Sequence, residues 1–149
     1  MITSLNRLWQ KLKKSKKYRE QFVAAQAKRA FPFQVRAIMR KRGLSQEQLA
    51  TRSKLTQGVI SRAVNPNYGN LTINTIVRVA DGLDMAYLGI LVPFSELAKW
   101  VSNLSEESVQ VKSFEEENEM TPGSVEGNFG KGGFFGQSGS AMSNFDSVQ

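Results

Sequence analysis

Two short polar segments, joined by a turn of about three residues, constrain this chain most. The first, "SQEQLATRS" (45–53), begins with Ser45 and carries Gln48 three positions later, which is the pattern of a capping box. The second, "TQGVISRAV" (56–64), begins with Thr56, another residue that favours a helix N-cap. Each segment has too few apolar side chains to form a stable helix alone, so both must pack against neighbouring helices. Together they predict a helix-turn-helix.

The second helix of such a motif inserts its N-terminal turn into the DNA major groove. Here Val59 and Ile60 are expected to face inward, with Val64 helping at the end. The predicted base-contacting residues face outward and are Thr56, Gln57, Gly58, Ser61 and Arg62. Gln pairs with adenine, Arg with guanine, and Ser or Thr with either base or a phosphate. Gly58 lets the backbone approach the groove closely.

The stretch from "RAIMRKRGLSQEQLATRSKL" through "TQGVISRAVNPNYGNLTINTIVRVADGLDM" resembles the DNA-binding domain of the Xre/Cro/C1 (lambda-repressor-like) helix-turn-helix regulators. The resemblance implies an all-α fold, namely a five-helix domain that binds a specific operator as a dimer. It also implies phosphate contacts by Gln46 and Asn65. The connection "VNPNYGNL" is longer than is usual in the family. A following "VPFSEL" segment resembles a subgroup of these regulators.

Charge is distributed unevenly along the chain. Residues 1–62 carry sixteen Lys/Arg and two Glu, whereas residues 63–149 carry four Lys/Arg and eleven Asp/Glu. A strongly positive half favours a polyanionic partner such as nucleic acid. Additional phosphate contacts are predicted for the basic cluster Lys13, Lys14, Lys16, Lys17 and Arg19. The apolar stripe before it consists of Leu5, Leu8, Trp9 and Leu12. It is expected to pack on the rest of the fold or in a dimer contact rather than on a membrane.

Composition divides the chain into four parts. Residues 1–30 are a basic N-terminal helical extension, 31–92 the helix-turn-helix domain, 93–105 a C-terminal helix, and 106–149 an acidic, then Gly/Ser-rich tail predicted to be disordered. "MAYLGILVP" (85–93) is compatible with a short edge strand. The buried face of the helix before it is predicted to comprise Ile73, Ile76, Val77, Ala80 and Leu83. The predicted dimer contact on the C-terminal helix comprises Leu97, Trp100 and Leu104.

The absence of Cys and His excludes disulfides, thiolate or imidazole metal sites and His-dependent catalytic triads. Carboxylates are few in the folded part, and the tail glycines follow no strand, so no phosphate-binding loop is predicted. We therefore expect neither an enzyme nor a bound cofactor or metal. No run of about 20 apolar residues and no signal-peptide pattern occurs, so a cytoplasmic location is expected.

The predicted function is sequence-specific binding of double-stranded DNA by a homodimeric transcriptional repressor. The alternative left open is an antitoxin, which binds a toxin and regulates its own operon. The acidic segment "EESVQVKSFEEENE" carries interspersed Val and Phe and suits folding on a basic partner.

Overall fold

A computed structural model describes residues 3–119 of the 149-residue chain. The helices of this part are α1 (Ser4–Lys14), α2 (Lys16–Arg42), α3 (Gln46–Ser53), α4 (Gln57–Ala63), α5 (Ile73–Gly82), α6 (Phe94–Ser102) and α7 (Phe114–Asn118). No strand occurs among the described residues, so the all-α class is confirmed there. The predicted edge strand at 85–93 is wrong. Its residues are non-helical, and no strand ladder forms there.

The second half of α2 packs with α3, α4 and α5 around one apolar core. The buried members of that core are Val35, Ile38, Met39, Leu49, Ala50, Ile60, Ala63, Val64, Val79 and Leu83. Local signals set where α3 and α4 begin. The Ser45 hydroxyl accepts from the Gln48 amide at 3.1 Å, and Gln48 Oε1 accepts from the Ser45 amide at 2.9 Å, which confirms the capping box.

The face that α5 buries differs from the predicted one. Val79, which the prediction omitted, is fully buried, whereas Ile73 is 71% exposed and Val77 is also exposed. At 100° per residue, the buried arc is centred near Leu83, so Val77 lies about 120° away from it. Periodicity alone could not show which apolar edge of the helix meets the core.

The joint between α3 and α5 fixes that orientation. A Cβ on Gly82 of α5 would lie 2.2 Å from Ser53 Oγ and 2.9 Å from the Ser53 backbone nitrogen. No larger residue than glycine fits there without movement of α3. Ser53 itself is buried, and its Oγ makes no hydrogen bond within the described part of the chain.

Helix α2 is a single element of 27 residues that continues through Pro32. Proline lacks the amide that would donate to the carbonyl of Lys28, so one hydrogen bond of the helix is missing at the buried Pro32. The boundary between the predicted extension (1–30) and the predicted domain (31–92) falls inside this helix. Gly43, with φ +64°, ends it in the left-handed conformation.

The N-terminal helix α1 packs against α2 and α6. Leu12 of α1 and Ala98 of α6 are both fully buried, while Leu5, Leu8 and Trp9 are half-buried. Arg19 closes the corner between α1 and α2. Its Nη1 donates to the Leu12 carbonyl at 2.7 Å, and its Cζ lies 6.0 Å from the centre of the Phe94 ring. The expected packing of the apolar stripe is thus confirmed.

Order extends beyond residue 106, where the disordered tail was predicted to begin. Val109 is only 3% exposed, and Gln34 Nε2 donates to its carbonyl at 3.1 Å. Gln110 Nε2 donates to the carbonyl of Ala37 at 3.1 Å. The prediction is therefore wrong for residues 106–113, because these specific contacts hold a polar segment along α2. Residues 120–149 of the predicted tail lie outside the described residues.

Candidate nucleic-acid interface

The outer face of α4 brings together the residues predicted to contact bases. Gln57, Gly58, Ser61 and Arg62 are all exposed on this seven-residue helix, and the N-cap Thr56 is exposed at its start. The opposite face buries Ile60 and Ala63 completely. The Thr56 hydroxyl accepts from the Val59 amide at 3.3 Å and so caps the helix while its own proton can still be donated.

Tyr68 holds the Arg62 side chain, and sequence reasoning missed it. The Arg62 Cζ lies 5.9 Å from the centre of the Tyr68 ring, within the range of a cation–π contact. Tyr68 comes from the turn that follows α4. The contact limits the positions open to the guanidinium at the edge of the recognition face. An aromatic residue six positions after the arginine was the only signal in the sequence.

The turn after α4 is built by its own hydrogen bonds. The Tyr68 amide donates to the Asn65 carbonyl at 3.2 Å, and the Asn67 amide donates to Asn65 Oδ1 at 2.9 Å. Pro66 and the left-handed Gly69, with φ +70°, fit the same turn. Since the turn uses the side-chain oxygen of Asn65, its amide nitrogen is the group that can donate to a ligand.

The other predicted phosphate contacts occupy two further places. Gln46 is the first residue of α3 and is half-buried. Lys13 and Lys14 end α1, and Lys16 and Lys17 begin α2, all exposed. Lys16 Nζ lies 3.8 Å from Glu20 Oε1, which is a solvent-exposed ion pair. These lysines surround the α1–α2 corner, outside the helix-turn-helix itself.

The electrostatic character of the motif suits a polyanion. Residues 48–80 carry four cationic side chains, Arg52, Lys54, Arg62 and Arg78, and no Asp or Glu. Arg62 and its neighbours on α4 therefore face solvent without a carboxylate nearby in sequence. A positive surface of this kind raises the local concentration of phosphates and speeds association.

The same part of the chain has neither a membrane-spanning helix nor a metal-binding cluster of side chains. None of the helices within residues 3–119 is both long enough and apolar enough to cross a bilayer. Within those residues, no group of three or more His, Cys, Asp or Glu side chains is placed to hold a metal ion.

Comparison with known proteins adds one finding. The chain matches no curated protein and no solved structure. Residues 35–90, from the second half of α2 to just beyond α5, match the family described as Helix-turn-helix. The segment "VPFSEL" lies beyond this range, so the predicted subgroup stays a prediction. The match supports DNA-binding transcription regulation of the Xre/lambda-repressor-like type.

Proposed function

We propose that this protein is a transcriptional regulator that reads a specific operator by inserting α4 into the DNA major groove. The observation that carries the proposal is the two-sided character of α4. On its inner face Ile60 and Ala63 are fully buried, which fixes the position of the helix. Its outer face presents only polar groups and one glycine. A helix held in this way can present hydrogen-bonding groups to base edges at low entropic cost.

Each polar residue of that face has a distinct role in the proposal. Gln57 pairs with adenine N6 and N7, and Arg62, steadied by Tyr68, pairs with guanine O6 and N7. Thr56 and Ser61 donate to a base or to the adjacent phosphate. These pairings are directional, so they select sequence rather than merely adding affinity.

The glycine at position 58 is a second observation that supports the proposal. A Cβ there would meet nothing closer than Arg62 Nη1 and Thr56 Oγ1, both at 3.9 Å. Its backbone is helical with negative φ, where glycine is less stable than alanine by roughly 0.5–1 kcal/mol. Packing within residues 3–119 therefore does not require glycine at this position. Close approach of the α4 backbone to DNA explains the residue.

Backbone contacts are proposed at both ends of the motif. Gln46 donates to a phosphate from the start of α3, and Asn65 donates through its amide nitrogen at the end of α4. Lys13, Lys14, Lys16 and Lys17 extend the positive surface. Arg19 is left out of the proposed set because its guanidinium is engaged by the Leu12 carbonyl and lies over the Phe94 ring.

We further propose that two copies act together, since one short helix reads too few base pairs for tight discrimination. Leu97 and Leu104 of the predicted dimer contact are half-buried within the chain, which leaves Trp100 exposed. Beside α6, residues 85–95 contain no charged side chain, and Leu91 there is 98% exposed. An uncharged apolar surface on a chain of net charge +7 allows a second positive copy to approach.

The Leu91→Asp variant tests this surface. It is expected to convert a dimer to a monomer in size-exclusion chromatography with light scattering. An unchanged mass would place the interface elsewhere.

Repression is the proposed outcome, because a protein bound across a promoter excludes polymerase.

An antitoxin role is the second candidate. The favouring observation is α7, a short helix with Glu115, Glu116 and Glu117 that begins with an exposed Phe114. An acidic segment with an exposed aromatic residue fits a basic partner surface. Loss of growth protection against an adjacently encoded toxin when residues 114–119 are deleted would favour this candidate.

The central experiment is a binding-site selection with the full chain and a random duplex library. We expect enrichment of an inverted repeat whose half-sites lie about one helical turn, roughly 34 Å, apart. The Arg62→Ala variant should lose selection at one position of each half-site and retain it elsewhere. Recovery of unrelated sequences by the wild-type protein would contradict the proposal.

A further inference from the structure

Lys28, in the part of α2 that precedes the matched range, lies across the turn that follows α4. A Cβ placed on Gly69 would be 2.8 Å from Lys28 Cε and 3.2 Å from both Cδ and Cγ. The whole aliphatic stem of Lys28 therefore packs on the turn. Lys28, Asn65 and Gly69 also line one surface recess of about 140 Å³.

Two features of the turn favour glycine at position 69. Its φ of +70° lies in the left-handed region, which disfavours residues with a Cβ. The absent side chain also leaves the space that the Lys28 stem fills. The stem is thereby held by packing, while the ammonium at its end belongs to an exposed side chain.

The turn on which the Lys28 stem packs carries groups that suit an anion. Asn65, whose oxygen is used within the turn, has its amide nitrogen left as a donor. Arg62 lies over Tyr68 of the same turn and adds a second cation. The segment that forms the turn and its flanks, 48–80, contains no carboxylate to neutralise either charge.

We propose that Lys28 and the Asn65 turn together form a phosphate-binding site that grips the DNA backbone beside the C-terminal end of α4. The inference rests on the proposed function and adds a contact supplied by the N-terminal half of α2. A lysine ammonium binds a phosphodiester as a point charge, without reading sequence. Because the stem is already packed, less side-chain entropy is lost when the phosphate binds.

The test compares Lys28→Gln with Lys41→Gln in the full chain. Lys41 is exposed on the same helix, about 140° around its axis from Lys28, so it controls for the loss of one charge. Affinity is measured by fluorescence anisotropy for the selected duplex and for an unrelated duplex, between 50 and 300 mM KCl. Thermal melting of all three proteins shows whether the fold is kept.

For Lys28→Gln we expect the slope of log affinity against log salt to fall by about 0.9 for each bound copy, with a loss of about eightfold per copy at 0.1 M salt. Both duplexes should be affected equally, and Lys41→Gln should match the wild type. A Lys28→Gln slope equal to that of Lys41→Gln would overturn the inference, as would a loss confined to the selected duplex. In either case, retained specificity of the wild-type protein would leave the proposed function standing; absence of any DNA binding would refute both.

Discussion

The joint between α3 and α5 and the outer face of α4 each contain a glycine, for opposite reasons. At Gly82 a Cβ would collide with Ser53 at 2.2 and 2.9 Å, so packing within the chain requires glycine. At Gly58 the nearest atoms would be 3.9 Å away, so packing within the described part of the chain does not require glycine. The comparison separates a glycine that the fold requires from a glycine for which we propose a ligand as the reason. It also shows where a substitution should affect stability and where it should affect binding.

The largest expected effect is that of Gly82→Ala. The new methyl group must displace both the Ser53 side chain and the α3 backbone, which should lower the free energy of unfolding by about 3 kcal/mol. Urea denaturation followed by circular dichroism measures the loss. An unchanged midpoint would show that α3 and α5 can separate freely, and the distinction between the two glycines would fail.

On the α4 face, Arg62→Ala and Gln57→Ala should each weaken binding to the selected operator by about 1–3 kcal/mol. Non-specific DNA binding should be nearly unchanged, because base contacts carry the specificity. Competition titrations with selected and unrelated duplexes measure the operator affinity and the non-specific affinity. Equal weakening on all sequences would make the residue a phosphate contact.

Tyr68→Phe is the companion variant for the arginine. It keeps the ring beneath Arg62 and should preserve specificity, whereas Tyr68→Leu should reproduce part of the Arg62→Ala loss.

Gly58→Ala should act in two directions at once. The fold should gain a few tenths of a kcal/mol, up to about 1, because alanine is the better helix former. Operator binding should weaken by about 1 kcal/mol, since the methyl group blocks close approach to the groove. Melting curves and operator titrations of the same preparation give both quantities. Unchanged operator affinity would mean that Gly58 does not face the DNA closely.

The smallest effect is expected for Ser53→Ala. Removing a buried hydroxyl that has no hydrogen-bond partner among residues 3–119 should stabilise the protein by about 0.5 kcal/mol. In this background Gly82→Ala should also be less damaging, because the remaining contacts are with the Ser53 backbone, 2.9 Å from its nitrogen and 3.1 Å from its Cα. A double-mutant cycle by urea denaturation measures the coupling. Strict additivity would indicate that the backbone, not the hydroxyl, sets the close approach.

Local chemistry made much of this architecture predictable. The caps at Ser45 and Thr56 depend on residues within three positions, so the starts of α3 and α4 followed from sequence. The orientation of α5 did not follow, because it depends on the distant contact between Gly82 and Ser53. The strand expected at 85–93 failed for a similar reason, since strand-forming residues need a paired partner.

The candidate site also contains some residues that the sequence predicted and others that it did not. The predicted base-contacting residues share one exposed face because helical periodicity alone places them there. Tyr68 and Lys28 were not predictable, because each meets the motif only through tertiary packing.

The docking of α1 on α6 has a consequence for the order in which the chain folds. The buried residues of this contact, Leu12 and Ala98, are separated by most of the described chain, whereas α3 and α4 are neighbours in sequence. Closing the longer loop costs roughly 2 kcal/mol more in chain entropy. The helix-turn-helix core should therefore form first, and α1 should attach last. In the native state α1 is then the first element to open, so its amides should exchange with solvent deuterium long before those of α3.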